Sequence, residues 1–292
     1  MSIDAREQME AESDASLIKK VEQRMQYTYP QGKHMALTFS YDDGQCFDRQ
    51  LVEIFNRYGM KGTFHLNSGR LGSAGHHGAF VNREELRELY AGHEVACHGV
   101  EHEDPLLLTE QELLAEYYED RKTLEELTGG LVQGLSYAYG RYNEMTKRVA
   151  RTVGLKYSRT VSSTHNFPVP GDFMEWHPTC HHGDPRLMQL GQDLLNSPPH
   201  RTMPLMYVWG HSYEFDRDGT WGVIEEFCKM MSGCDDIWYA TNLEICNYVN
   251  ALRSLEYSAD GKKVYNPSSF TVWMKDGEKL IKAAPGEITV LK

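Results

Sequence analysis

Apolar runs of strand length alternate with amphipathic stretches through most of the chain. The run 35–41 precedes a helix over 48–58 that Gly59 closes. A strand over 61–66 leads into a glycine- and histidine-rich loop at 69–79. Asn82 caps a helix over 83–91, with Glu84 and Glu85 in its first turn. Gly92 ends that helix and a strand over 93–98 follows. Pro105 and Thr109 introduce a long helix over 110–128, stopped by Gly129-Gly130. The pattern then predicts a strand near 132–139, a helix over 143–153, a strand over 155–161, a long loop at 162–184 and a helix near 185–195. Strands over 205–210 and 236–240 precede helices over 220–231 and 242–254.

Seven strands, each followed by a helix, predict a parallel sheet covered by helices. A closed barrel and an open doubly wound sheet both satisfy that order. Candidate ligands follow the first, third, fourth and sixth strands, and they converge on one point more easily in a barrel. No G-x-G-x-x-G follows the first strand, so a dinucleotide fold is not supported.

The pattern changes at both ends. Residues 1–30 are polar and charged, and a helix is expected from Ser13 to Gln26, capped by Ser13 or Asp14 and stopped by Pro30. Beyond 255, Asp260-Gly261 and Asp276-Gly277 each sit between short β-prone runs and read as hairpin turns. The expected organisation is a helical extension over 1–30, the α/β domain over 31–254, and a small antiparallel β appendage over 255–292 packed on it.

The 292 residues carry a formal net charge of -12, which argues against nucleic acid as a partner. No apolar stretch approaches the ~20 residues that span a bilayer, so no membrane partner is expected. The first residues lack the pattern of a signal peptide, which makes the cytoplasm the expected compartment. Six scattered cysteines are then expected as free thiols. Homo-oligomerisation is left open by the sequence.

The candidate chemistry lies where strands end. The first strand stops on Asp42-Asp43-Gly44, the third on His98 with His102 four residues on, and the sixth on His211. Two histidines and one aspartate match a catalytic zinc-type set with one open position. Asp42 and Asp43 point to opposite faces unless the backbone turns, which Gly44 permits. One carboxylate could then bind a metal while the other acts as a base. Taken alone, Asp-Asp-Gly is an ordinary turn. His65 ends the second strand and faces the same rim, together with Asn67-Ser68. The run Trp176 to His182 is dense in ligand types and reads as a site-lining loop, with His182 or its neighbour in the pocket. Glu214 and Asp216 either contact substrate or solvate their loop.

These segments resemble the motifs of the polysaccharide deacetylases, the NodB-homology group also called carbohydrate esterase family 4. Thr38-Phe39-Ser40-Tyr41-Asp42-Asp43-Gly44 resembles the first motif, and His98-Gly99-Val100-Glu101-His102 the second. Tyr137-Ala138-Tyr139-Gly140 looks like a variant of the third, Glu175-Trp176 falls at the fourth, and Val208-Trp209-Gly210-His211 resembles the fifth. The resemblance implies a distorted (β/α)7 barrel and a metal-dependent amide hydrolase. It implies Asp42 as general base, and Asp43, His98 and His102 as ligands of one divalent ion, most readily zinc, with cobalt, nickel or manganese as alternatives. It further implies the Tyr139 N–H at the oxyanion and His211 as general acid near Trp176.

One departure stands out. The third motif usually opens with an arginine that bonds the base, and here that position is Ser136. Arg159 and Arg141 are the candidates to replace it, although an arginine at either place is more ordinarily a rim or surface residue. The implied function is deacetylation of an N-acetylated carbohydrate, with a small molecule or oligosaccharide as substrate. Alternatives are another amide, a ureide or a cyclic imide, a non-catalytic carbohydrate-binding protein on a degenerate scaffold, or a zinc site closed by His181 or His182.

Overall fold

The computed structural model describes residues 25–291. They fall into two units, one of residues 36–198 and 204–246, the other of residues 25–35, 199–203 and 247–291.

The first unit is built on a parallel sheet. Its strands are β2 (Met35–Asp43), β3 (Gly62–Leu66), β4 (Glu94–Cys97), β5 (Gly134–Ser136), β6 (Tyr157–Arg159), β7 (Cys180–His181) and β8 (Leu205–His211), with β1 (Met25–Thr28) reserved for the second unit. Their order across the sheet is β6-β5-β4-β3-β2-β8-β7. Its helices are α1 (Asp48–Tyr58), α2 (Leu86–Leu89), α3 (Glu110–Thr128), α4 (Glu144–Thr152), α5 (Leu187–Leu195), α6 (Ser212–Arg217), α7 (Trp221–Met231) and α8 (Asn242–Arg253), the last running on into the second unit. β2 is paired on both sides and its first eight residues are buried, which explains its near-continuous apolar text.

The two ends of the sheet meet through one segment. The Trp176 N–H donates to the Ser158 carbonyl and the Thr160 N–H to the Trp176 carbonyl, a parallel bridge to β6. Thr179 then bonds Tyr207, and β7 pairs with β8 through Cys180 and Val208. Pro178, which has no N–H, lies where the segment changes partners. This closes a distorted (β/α)7 barrel. The expected loop at 162–184 therefore contains a barrel strand, and the expected strand 236–240, seen as β9 (Ile237–Tyr239), pairs with β2 off the main path.

Other elements differ in detail. The helix expected over 83–91 is a 3-10 turn at Arg83–Glu85 followed by the four residues of α2. The strand expected over 132–139 is shorter, because residues 138–140 form a 3-10 turn. Helix α6 follows His211 directly where no element was expected.

The barrel interior carries a hydrogen-bonded column. Glu94 accepts from the hydroxyls of Tyr157 (2.7 Å) and Thr63 (2.9 Å) and from the Leu243 N–H (2.8 Å). Asn242 donates to Tyr207, whose hydroxyl donates to Ser40. Each buried polar group named here gains a partner, so side chains from β2, β3, β4, β6, β8 and α8 are held in one register.

The second unit holds two three-stranded antiparallel sheets. β10 (Glu256–Tyr257), β11 (Lys263–Tyr265) and β14 (Ile288–Val290) form one. The other joins β12 (Val272–Asp276) and β13 (Lys279–Ala283) to β1. Both expected hairpins are present. The helix expected over Ser13–Gln26 lies mostly outside the described residues, but Met25 and Gln26 are strand, paired with Asp276 and Lys275. Val264, Val272, Met274 and Ile281 supply the core of this unit. Among the described residues no helix is long and apolar enough to cross a membrane, and all six cysteines are free.

Candidate active site

Asp42, His65 and His211 stand side by side in the register of β3, β2 and β8. Parallel strands end together at this rim, which is why residues far apart in sequence meet there. The backbone turns immediately after Asp42. Asp43 has φ +79 and Gly44 φ +73, so the two neighbouring carboxylates reach one site. A side chain at Gly44 would also press on Leu66, with its Cβ 2.7 Å from a Leu66 methyl.

Asp43, His98 and His102 bring one ligand atom each within 4.8 Å of one another. The Asp43 oxygen lies 3.7 Å from His98 Nε2 and 3.9 Å from His102 Nε2. Those gaps suit two donors each about 2 Å from a shared ion. His98 Nδ1 lies 2.9 Å from the Ser136 carbonyl, which places its proton there and leaves the Nε2 lone pair free. Burial, with His98 beside it, pushes His102 down to about 3, so that ring is neutral. The donor set therefore fits a divalent ion. His102 and Tyr139 have φ +59 and +57, so three of the six non-glycine positive-φ residues among those described lie in this site.

Asp42 is engaged differently. One carboxylate oxygen accepts from the Ser136 hydroxyl at 3.1 Å. The other takes a guanidinium N–H of Arg159, which is wholly buried. Burial alone would raise the Asp42 carboxyl, but Arg159, assisted by His98, His65 and His211, holds it well below the usual carboxylate range. Ser136 and Arg159 are register partners on β5 and β6. The guanidinium that the third motif usually supplies thus reaches the same carboxylate from one strand further round. The other candidate, Arg141, pairs with Asp104 instead.

His65 is buried against the Cys97 carbonyl, and burial pushes its ring down to about 3. Tyr139 lies in the 3-10 turn after β5 and is 62 % exposed, its ring centre 4.5 Å from that of His102.

His211 faces a carboxylate that its own helix provides. Glu214, three residues on, lies 3.3 Å from His211 Nδ1, off the line of a hydrogen bond, and accepts the His211 backbone N–H. Burial opposes charge on His211, but Glu214, Asp42 and Asp43 outweigh it and raise the imidazole. Glu214 also lies 2.9 Å from His181 Nε2 and 3.4 Å from His182 Nε2. His181, His211 and Glu214 form a second group with ligand-like spacing. His181 Nδ1 accepts the Gly183 N–H, however, so its proton sits on Nε2, the atom that faces Glu214. His182 stacks on Tyr41 and Phe215 and is held neutral by burial, at about 3. Neither ring belongs to the Asp43 group.

Two expectations of placement change. Trp176 is buried among Tyr157, Phe173 and Tyr207, and the indole beside His211 is Trp209, at 5.8 Å. Glu175 bonds Tyr142 and Lys147. Asp120 went unread in the sequence. Its carboxylate accepts the backbone N–H groups of Ser68, His98 and Gly99, and Asn67 holds the His98 and Gly99 carbonyls. The available signal was an acid on the buried stripe of α3, between Tyr117 and Leu124.

The polysaccharide deacetylase family model matches residues 28–158. A Bacillus subtilis (strain 168) protein named for that family, YxkH, is 27% identical over 133 residues, 45% of this chain. The match spans 46% of YxkH, less than half its length. A Mycobacterium smegmatis structure named for the family aligns at 20% identity and TM-score 0.57, over 78% of this chain and 94% of that one. One from Pseudomonas aeruginosa PAO1 aligns at 18% and 0.56, over 73% and 89%. At such identities the structures speak for the fold, and it is the barrel described above. Residues 28–158, which hold the Asp42-Asp43, His98 and His102 motifs, thus carry the signature of the polysaccharide deacetylase family.

Proposed function

We propose that this chain is a metal-dependent hydrolase of non-peptide C–N bonds that deacetylates an N-acetylated carbohydrate. The observation that carries this reading is the grouping of Asp43, His98 and His102 beside an ionised Asp42, with His211 adjacent on the next strand. The reading takes zinc as the preferred ion, with cobalt, nickel or manganese as substitutes. It takes the cytoplasm as the compartment and a soluble sugar or oligosaccharide as the substrate.

A divalent ion at these three ligands supplies carbonyl polarisation and a more acidic water. The other parts of the reaction fall to the chain. Asp42 accepts the proton of the attacking water on the carboxylate that Ser136 and Arg159 hold in place. The Arg159 charge costs Asp42 basicity and in return keeps it ionised and fixed in direction. The Tyr139 N–H faces the developing oxyanion. His211, charged through its pairing with Glu214, delivers a proton from Nε2 to the leaving amine. Without that proton an amine anion would have to leave.

The direct test is a screen of metal-stripped protein, resupplied with each ion, against acetylated sugars, other amides, ureides and cyclic imides. Release of acetate from an N-acetyl sugar, restored by metal, is expected. Turnover confined to ureides or imides would transfer the reading to that class, and ligand binding with no metal-dependent turnover would favour a binding protein. Asp42→Asn should bind metal and lose about 10²–10⁴-fold in turnover, whereas His98→Ala should lose the metal itself. Wild-type turnover in metal-loaded Asp42→Asn would remove Asp42 as the base.

Arg159→Leu should keep its metal yet lose about 10²-fold in activity, because the base is no longer oriented. The paired exchange Ser136→Arg with Arg159→Ser should recover part of that loss. Full activity in the single variant would assign Arg159 to structure alone.

Glu214→Gln tests the acid. The raised imidazole of His211 keeps it protonated to higher pH, so weakening the Glu214 charge should move the basic limb of the pH–rate profile to lower pH. Groups remaining around the ring are Tyr213, His181, Asp42 and Asp43. An unmoved basic limb would show that Glu214 does not set the protonation of His211.

A further inference from the structure

The loop after β3 does not lie idle beside the rim. Residues 69–81 leave the barrel and return as a narrow strap. Its base runs antiparallel to the segment just after Asp43: Val81 bonds Gly44, Cys46 bonds Ala79, and Gln45 bridges Phe80. Its stem is tied by the bridge between Ala74 and Ala79, and its tip, Gly75-His76-His77-Gly78, by the Gly75 N–H to the Gly78 carbonyl at 2.9 Å. Gly78 has φ +152, a conformation that glycine adopts without strain.

The tip reaches the far side of the β2 end. The His77 ring stacks on Tyr213 at 4.3 Å between centres, with the planes 1° apart. Tyr213 is the second residue of α6, its ring centre 5.4 Å from that of His211. The Arg217 guanidinium also lies on the Tyr213 ring, at 5.6 Å. One aromatic contact therefore joins the loop after β3 to the helix after β8, across the end of the strand that bears Asp42 and Asp43. Tyr139, beside His102 in the turn after β5, is by contrast 62 % exposed.

We propose that the His77–Tyr213 stack walls one flank of the site and thereby selects substrates whose acetamido group sits at the end of a chain or on a single sugar. A unit inside a polymer needs the chain to leave the site on both sides, and the strap closes one of them. This inference rests on the deacetylase reading and names its substrate class. His77 and Tyr213 act as specificity-determining residues and take no proton in the reaction. The backbone bonds of the strap do not involve the His77 side chain, and its tip meets α6 through the stack, so substituting either ring removes only what a stacked pair contributes.

The test uses the full chain loaded with zinc, N-acetylglucosamine, and its β-1,4-linked tetramer, with the deacetylated positions read by mass spectrometry. The wild type should act on the monomer and on one terminal unit of the tetramer. His77→Gly and, separately, Tyr213→Leu should raise the ratio of internal to terminal deacetylation by about tenfold or more. Internal units attacked by the wild type as readily as ends, or a ratio unmoved in both variants, would overturn the proposal. A second readout needs no turnover. Zinc is stripped with a small planar chelator, pyridine-2,6-dicarboxylate, and with a bulky branched one, EDTA, at concentrations where the rate rises with chelator. Both variants should speed the bulky chelator more than the small one. If no acetylated sugar is hydrolysed but this selectivity appears, the deacetylase reading fails and the wall stands. If the two chelators respond alike, the wall fails whatever the substrate.

Discussion

Asp42 and Arg159 meet inside the barrel rim, both almost wholly buried. The pair is the constraint from which the roles at this site follow. A buried carboxylate without its partner costs about 3–5 kcal/mol, and the arginine, fully enclosed beneath the Trp209 ring at 4.3 Å, cannot turn to solvent for relief. Arg159 and the Ser136 hydroxyl occupy the Asp42 oxygens, so Asp42 is poorly placed to serve as a ligand. In the proposed reading the next residue takes that part. Its left-handed backbone swings Asp43 toward His98 and His102, and two adjacent carboxylates that would otherwise repel are given different surroundings, one beside a guanidinium and the other beside two imidazoles.

The same logic of one group holding another runs outward from the rim. Ser136 touches Asp42 through its hydroxyl and His98 through both hydroxyl and carbonyl, so the proposed base and the proposed ligand are set by one residue. Asp120 gathers the backbone N–H groups that precede and follow His98. On the other side Glu214 collects His181, His182 and His211 on one carboxylate. It sits only three residues from His211, so a single turn of helix keeps imidazole and counter-charge together. The rim thus has an anion-tuned side that favours a charged imidazole and a cation-tuned side that favours an ionised carboxylate.

Much of this was legible in the sequence, for physical reasons. Strand-like runs that stop on Asp42, His98 and His211 reported the rim because the strands are parallel and end together. The helices over 48–58 and 110–128 have the bounds their caps and glycines indicate. What could not be read depends on distant partners. The strand Met25–Thr28 exists because residues 272–276 lie beside it. The barrel strand at 176–181 is split by Pro178 and shares its bonds between β6 and β8, so it reads as loop. Arg159 reads as a rim arginine until its register with Ser136 is known. Glu214 and Asp120 each carried a local signal, as an acid one helical turn from His211 and an acid on an apolar stripe.

The central claim is that Asp43, His98 and His102 hold one ion while the Glu214 cluster holds none. Anomalous diffraction at the zinc edge, from crystals of the zinc-loaded full chain, addresses it most directly. A single strong peak bonded to those three side chains is the predicted result. A peak between His181, His211 and Glu214, or no peak at the Asp43 group at full zinc occupancy in solution, would contradict it.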